Sequence, residues 1–308
     1  MSLINIRGNT YYIKGGTNSG LYLFTDNTAI IIDPGLPGLR PRKIIKELKE
    51  NNIEISYIIN THEHDDHYGA CKEYKLENKN IKILSSKYAK LYIENPELFS
   101  KYIIGGKSNK FLDEFFKRSN QSSLYIDEEL TLGNVIINKE VFKIIEFKGH
   151  TPGSIGVMTK DKVLFVGDLL VSEDMLNKYD FLFVFDIKDY IESLNKLKTI
   201  NFEYMVLGHG KNIINKDDSY KLIEKHENAI NNYINQIKED LKEPMGIEAL
   251  LKNIIVRNDL HCNYKEFYFY KSSLVSIISY LCDLDEVSYT IQGGELLYYI
   301  QKNQIMIK

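Results

Sequence analysis

The run Asn60-Thr61-His62-Glu63-His64-Asp65-Asp66-His67 constrains this chain more than any other feature. It follows directly on an apolar stretch of buried-strand type, SYIIN at 56–60, so it starts where a strand gives way to a loop. Four potential metal ligands, His62, His64, Asp66 and His67, fall within six residues. Three imidazoles and a carboxylate held this close would each need a separate polar partner if buried without a cation, which is costly. A metal site is the economical reading. Glu63 and Asp65 lie between ligands, and alternation turns them away from it.

Three further residues share this position at a strand end. His150 lies in GHTPGS after a strand at 141–147, Asp168 in VGD after one at 162–166, and His209 in GHGK after one at 203–207. Ligands at adjacent strand ends can meet at one edge of a sheet core. Five histidines and two aspartates suit two borderline divalent cations, with zinc the first choice and manganese or iron as alternatives. Two ions ~3.5–4 Å apart can hold a bridging hydroxide. Asp168 is the natural bridge, since one carboxylate offers an oxygen to each ion. The remaining histidines, His226 in a charged helix and His261 in a turn, are expected at the surface.

The order of elements predicts layered α/β architecture. Short strands at 10–14, 20–25 and 28–32 precede the turn DPGLPG, an amphipathic helix over 41–51 and the strand before the ligand run. Residues 85–118 form an insertion of two short helices, with GGKSN at 105–109 as a break. Tyr88, Tyr92, Phe99, Tyr102, Phe111, Phe115 and Phe116 within it, with Leu91, Leu98 and Leu112, either lid the metal edge or pack as helix cores. Strands follow at 124–126, 129–138, 141–147, 154–159 and 162–166, then a helix at 187–198 and a strand at 203–207. Helices at 217–242, 246–257 and 271–282 and a hairpin around Gln292-Gly293-Gly294 suggest a winged-helix-like tail. The expected division is a catalytic domain over 1–212 and a helical, winged-helix-like domain over 213–308.

Composition narrows the function. Lys plus Arg is 39 against Asp plus Glu at 42, a net charge of -3, without the basic excess of nucleic-acid or anionic-membrane binders. Residues 211–308 carry 12 basic and 14 acidic residues, and the sign is wrong for gripping phosphate. No apolar stretch approaches the roughly 18 residues of a membrane span, and the N-terminal run does not read as a signal peptide. Cys71, Cys262 and Cys282 form no CxxC pair or disulfide framework, and all three are expected as small buried hydrophobes in a reducing cytoplasm.

The pattern HxHxDH, then a distant His, Asp and His, resembles the metallo-β-lactamase superfamily over about residues 5–212, and Asp33 in IIDPG resembles that family's early structural aspartate. THEHDDH, GHTPGS, GD and GHGK followed by a helical tail are most similar to the glyoxalase II and β-lactamase-like 2 branch. The resemblance implies an αββα sandwich with metals at one edge of the two sheets. It implies His62, His64 and His150 on one ion, Asp66, His67 and His209 on the other, and Asp168 between them. It also implies a bridging hydroxide that attacks an acyl carbon or phosphorus, with Asp66 orienting it. The expected activity is hydrolysis of a small acyl substrate: a thioester, ester or lactone. Alternatives on the same scaffold are an RNA or phosphodiester hydrolase acting on single strands and a mononuclear iron persulfide dioxygenase using His62, His150 and Asp168. Tyr68 and Thr151 are candidate substrate donors, although helix packing suits Tyr68 as well, and Thr151 and Ser154 could instead orient imidazoles. The apolar tail suggests either a homodimer contact or packing onto the catalytic domain.

Overall fold

Neighbouring residues within single strands face different cores, and this alternation builds four layers. In the computed structural model, which describes residues 3–112, 124–210 and 213–301, one sheet has seven strands in the order β1 (Leu3–Arg7), β2 (Thr10–Ile13), β3 (Ser19–Leu23), β4 (Thr28–Ile32), β5 (Glu54–Ile59), β6 (Lys82–Ser85) and β7 (Glu128–Glu129). The second runs β13 (Ile213–Asn215), β12 (Tyr204–Val206), β11 (Val163–Phe165), β10 (Ile155–Met158), β9 (Glu140–Glu146) and β8 (Gly133–Ile137). Tyr22, Ile30, Ile32 and Ile59 meet Phe142, Ile144, Val157 and Phe165 between the sheets. Leu21, Ile31 and Ile58 face the opposite way, towards helices α1 (Leu39–Glu50) and α3 (Cys71–Glu77). Ile145, Leu164 and Met205 face outward from the second sheet onto its own helices.

Helix α1 shows why these residues fold so. Pro41 lies in the first turn, where its missing N–H costs nothing, and Pro41, Ile44, Ile45 and Leu48 form one buried face. The helix gives out at Asn51, and Asn52 takes a left-handed φ of 57°.

Four details of these elements depart from expectation. Strand β1 adds an edge that the sequence reading lacked, pairing with β2. Residues 124–126 make no ladder: Leu124 and Ile126 are buried, but the Ile126 N–H donates to Glu94 Oε1 at 2.9 Å, and only Glu128–Glu129 pairs with β6. Helices α4 (Lys87–Glu94) and α5 (Glu97–Ile104) both precede the 105–109 break, where Gly105 is left-handed. Phe115 and Phe116 lie outside the described residues. Cys71 is buried but Cys262 is exposed, because it sits in the loop before a helix cap.

The one-turn helix α6 (Glu173–Leu176) pairs Glu173 with Lys225 of the C-terminal region, helix α7 (Ile187–Thr199) covers the second sheet, and the C-terminal region adds α8 (Lys216–Asp240), α9 (Ile247–Arg257), α10 (Tyr264–Asp283) and the hairpin β14 (Val287–Gln292)–β15 (Glu295–Ile300). Gly293 and Gly294 both have positive φ, the two-residue turn that matches strand twist. Helix α10 begins seven residues earlier than expected, started by a capping box between Asn263 and Glu266. One buried cluster runs from Ile145 and Leu194 through Leu222 and Ile254 to Ile277 and Val287, so this region shares a core with the second sheet.

His226 is not a surface residue. It is 1% exposed, its Nδ1 donates to Leu222 O at 2.9 Å, and its Nε2 accepts the Val171 N–H at 3.1 Å. It occupies the apolar face of α8 with Leu222, Ile223, Tyr233 and Ile237, which outweighs its charged neighbours Lys225 and Glu227.

Candidate metal centre

Strands β4, β5, β9, β11 and β12 all end at one edge of the sandwich, and each delivers a side chain there. Asp33 follows β4 in a left-handed conformation, φ 53°. Its Oδ1 accepts the Thr61 N–H at 2.7 Å, and its Oδ2 accepts the Thr61 hydroxyl at 2.6 Å. The same Oδ2 accepts Nδ1–H of His67 at 2.8 Å, which turns His67 Nε2 inward. A one-turn helix, α2 (Asp65–Tyr68), carries Asp66 and His67 from this anchored loop.

The structure brings all seven predicted ligands together, in two groups: His62, His64, His150 and Asp168, and Asp66, His67 and His209. Within the first, His64 Nδ1 and His150 Nε2 are 3.1 Å apart, and Asp168 Oδ2 is 3.7 Å from both His62 Nε2 and His150 Nε2. Within the second, His67 Nε2 and His209 Nε2 are 3.4 Å apart, and Asp66 Oδ2 is 3.2 Å from His209 Nε2. Asp168 lies between the groups, with Oδ1 3.2 Å from His67 Nε2 and Oδ2 3.3 Å from His209 Nε2. Ligand atoms on a tetrahedral cation with ~2.0 Å bonds sit about 3.3 Å apart, so this spacing suits chelation.

Two observations show that the donors fit cations. His62 Nε2 and Asp168 Oδ1 are buried and have no hydrogen-bond partner among the described residues, although both face the cluster. The charge balance also asks for positive charge. The carboxylates of Asp168 and Asp33 overcome burial and raise the His67 pKa to about 10, and Asp168 lifts that of His209 to about 12. Burial tends to raise Asp66 and Asp168, but the surrounding imidazoles win and hold both well below the usual carboxylate range. Burial pushes His62, His64 and His150 down, which keeps them neutral and able to donate lone pairs.

Four of the five rings have the other nitrogen held from behind, His67 by Asp33, His62 Nδ1 by the Thr61 hydroxyl at 3.1 Å and the remaining two by backbone oxygens, while the buried His64 Nε2 has no hydrogen-bond partner among the described residues. His150 Nδ1 donates to Phe183 O at 3.1 Å, and His209 Nδ1 donates to Gly16 O at 2.7 Å. Asn18 clasps the Gly16 turn to the His209 loop, its Nδ2 donating to Leu207 O and Gly210 O, both at 3.0 Å. Sequence reasoning missed Gly16, Asn18 and Phe183. Two of them act through backbone oxygens, which leave no residue-type signal. Gly208 was also unremarked. A Cβ there would stand 2.1 Å from Asp168 Oδ1, so only glycine lets the β12 loop pass behind the carboxylate.

Thr151 and Tyr68 do not line the cluster. Thr151 is buried, and its hydroxyl donates to Glu63 Oε2 at 2.8 Å, while the Gly153 N–H donates to Glu63 Oε1 at 3.2 Å. Glu63 thus straps the two histidine loops together, and burial lifts its carboxyl to about 7. Tyr68 packs in the core beneath α1 and α3, as helix packing predicts. Of the insertion's described aromatics, Phe99 reaches the site: its ring meets His64 edge-on at 5.2 Å.

Comparisons with known proteins agree with this geometry. The sequence profile of the metallo-beta-lactamase superfamily matches residues 12–209. The chain is 27% identical over 257 residues to a beta-lactamase-like protein 2 homolog of Caenorhabditis elegans, covering 76% of this chain and 75% of that protein. It is 28% identical over 268 residues to hydroxyacylglutathione hydrolase 1 of Vibrio vulnificus, covering 80% of this chain and 88% of that one. Among solved structures, a beta-lactamase domain protein from Burkholderia ambifaria superposes with a TM-score of 0.74 at 14% identity, covering 97% of this chain and 93% of that one. That similarity takes in the C-terminal helices.

Proposed function

This chain belongs to the metallo-beta-lactamase superfamily and is a metal-dependent hydrolase, and from that premise we propose a dinuclear enzyme that hydrolyses small acyl substrates, thioesters first, then esters and lactones. The observation that carries the reading is the position of Asp168, with carboxylate oxygens 3.2 Å from His67 Nε2 and 3.3 Å from His209 Nε2 on one side and 3.7 Å from His62 and His150 on the other. His62, His64 and His150 would hold one divalent ion and Asp66, His67 and His209 the other, with Asp168 shared. Zinc suits this donor set best, and manganese or iron are the alternatives. When bound, the ions supply an activated water and a Lewis acid for the substrate carbonyl.

The chain's own residues do the rest. Asp66 stays ionised at neutral pH, and its Oδ2 accepts from the Thr17 hydroxyl at 3.4 Å, which fixes the carboxylate as an acceptor that orients the attacking water. The thioester preference is supported by similarity to hydroxyacylglutathione hydrolase 1 of V. vulnificus. We keep residues 1–212 as the catalytic domain and 213–308 as a helical second domain. No helix of the described residues is long and apolar enough to cross a membrane, and three free cysteines suit a reducing cytoplasm.

The test is thiol release from acyl thioesters of a common thiol by metal-loaded protein, with and without chelator. Turnover that disappears with the metal is expected. A fully metal-loaded protein that cleaves no thioester, ester or lactone contradicts the reading.

A further inference from the structure

We propose that Phe99, Phe183 and Phe269 form an aromatic subsite beside His64 and His150 that binds the apolar part of the acyl group, so the enzyme selects aryl-acyl substrates over acetyl ones. This names a substrate class for the acyl-hydrolase reading and rests on it.

The three rings come from three separate elements and meet at the metal centre. Phe99 of α5 touches His64 edge-on at 5.2 Å. Phe183, on the segment before α7, lies 5.8 Å from His64 and 5.7 Å from His150. Phe269 of α10 closes the triangle, 5.0 Å from Phe183 and 6.2 Å from Phe99. All three are half-buried. Phe181, only two residues before Phe183, shows what a purely structural ring does here. It points the other way, is 5% exposed and packs on Tyr233 at 4.5 Å.

The position is held in place. Ser273 of α10 accepts the Val184 N–H at 3.0 Å and donates to Leu182 O at 3.1 Å, so the C-terminal helix grips the residues on both sides of Phe183. The Lys265 ammonium packs 4.9 Å from the centre of the Phe269 ring. Beyond Phe99, at 5.1 Å, lies Tyr102, whose buried hydroxyl has no partner among the described residues. A flat apolar group next to the reacting carbonyl is the chemistry that three converging ring faces and edges recognise.

Two readouts on the metal-loaded full-length chain test this. The first is the ratio of kcat/KM for phenylacetyl and acetyl thioesters of one thiol, in the wild type and in Phe269→Ala. The wild type should prefer the phenylacetyl substrate by about 10- to 100-fold, the worth of burying one ring, and Phe269→Ala should lose most of that ratio. The second is calorimetric titration with phenylacetate and with acetate, which needs no turnover. Phenylacetate should bind the wild type at least about 10-fold tighter, with the difference collapsing in the variant. Equal binding of the two acids by the wild type overturns the subsite, as does an aryl preference that Phe269→Ala leaves intact. If no thioester, ester or lactone is cleaved, the hydrolase reading fails while the titration still decides the subsite. Should Phe269→Ala not fold, Phe99→Ala on α5 probes the same triangle.

Discussion

Asp33 Oδ2 accepts Nδ1–H of His67 at 2.8 Å, while the opposite nitrogen of that ring stands 3.2 Å from Asp168. One carboxylate behind the ring therefore determines which nitrogen faces the candidate metal centre. Asp33→Ala frees the tautomer and releases the Thr61 N–H and hydroxyl as well. Metal affinity at the Asp66–His67–His209 group should fall roughly 10- to 100-fold. Chelator competition reads this directly, and an unchanged affinity would count against the positioning role.

Asp168→Ala removes the side chain that, among the described residues, stands between the two groups. The variant should keep its secondary structure by circular dichroism, retain fewer than two ions per chain and lose turnover. Full turnover with full metal content sinks the shared-ligand assignment.

Gly208→Ala inserts a methyl 2.1 Å from Asp168 Oδ1 and 2.8 Å from His67 Cε1. Neither neighbour can move without leaving its place in the cluster. The expected outcome is a destabilisation of about 1–3 kcal/mol in urea together with loss of bound metal. Wild-type stability and metal content would contradict the close approach seen here.

His226 gives the fold a pH dependence of its own. Burial holds its pKa down to about 4 from 6.5, since the charged imidazolium would lose its hydration. The unfolded chain takes up the proton near pH 6.5 and the folded chain only near 4. The stabilisation is therefore complete above 6.5 and is lost as pH falls through that window, to the extent of about 3 kcal/mol. His226→Leu should be less stable at pH 7, having orphaned Val171, yet should lose less on acidification. Parallel urea curves for the two proteins across pH 7 to 4 would exclude His226 as the source.

The seven candidate ligands were legible because they lie in the loop and short helix after β5 or in the loops after the apolar strands β9, β11 and β12, and those strands end together. Asp33 was legible for the same reason, in IIDPG after β4. The rest hid for separate physical causes. The Phe183 and Gly16 oxygens that orient His150 and His209 are backbone atoms, which any residue could supply. Leu124 and Ile126 look like a strand, but Glu94 takes the Ile126 N–H and the pairing moves to Glu128–Glu129. His226 was misread from its charged neighbours. Its spacing from Leu222, Tyr233 and Ile237 already placed it on the apolar face of α8, and periodicity was the better guide.

Elemental analysis of protein purified without added metal or chelator tests the central claim most directly. The account predicts about two divalent ions per chain, zinc foremost, one for each histidine group joined by Asp168. A single iron per chain, with the Asp66–His67–His209 group unfilled, would contradict it and favour a mononuclear oxygenase.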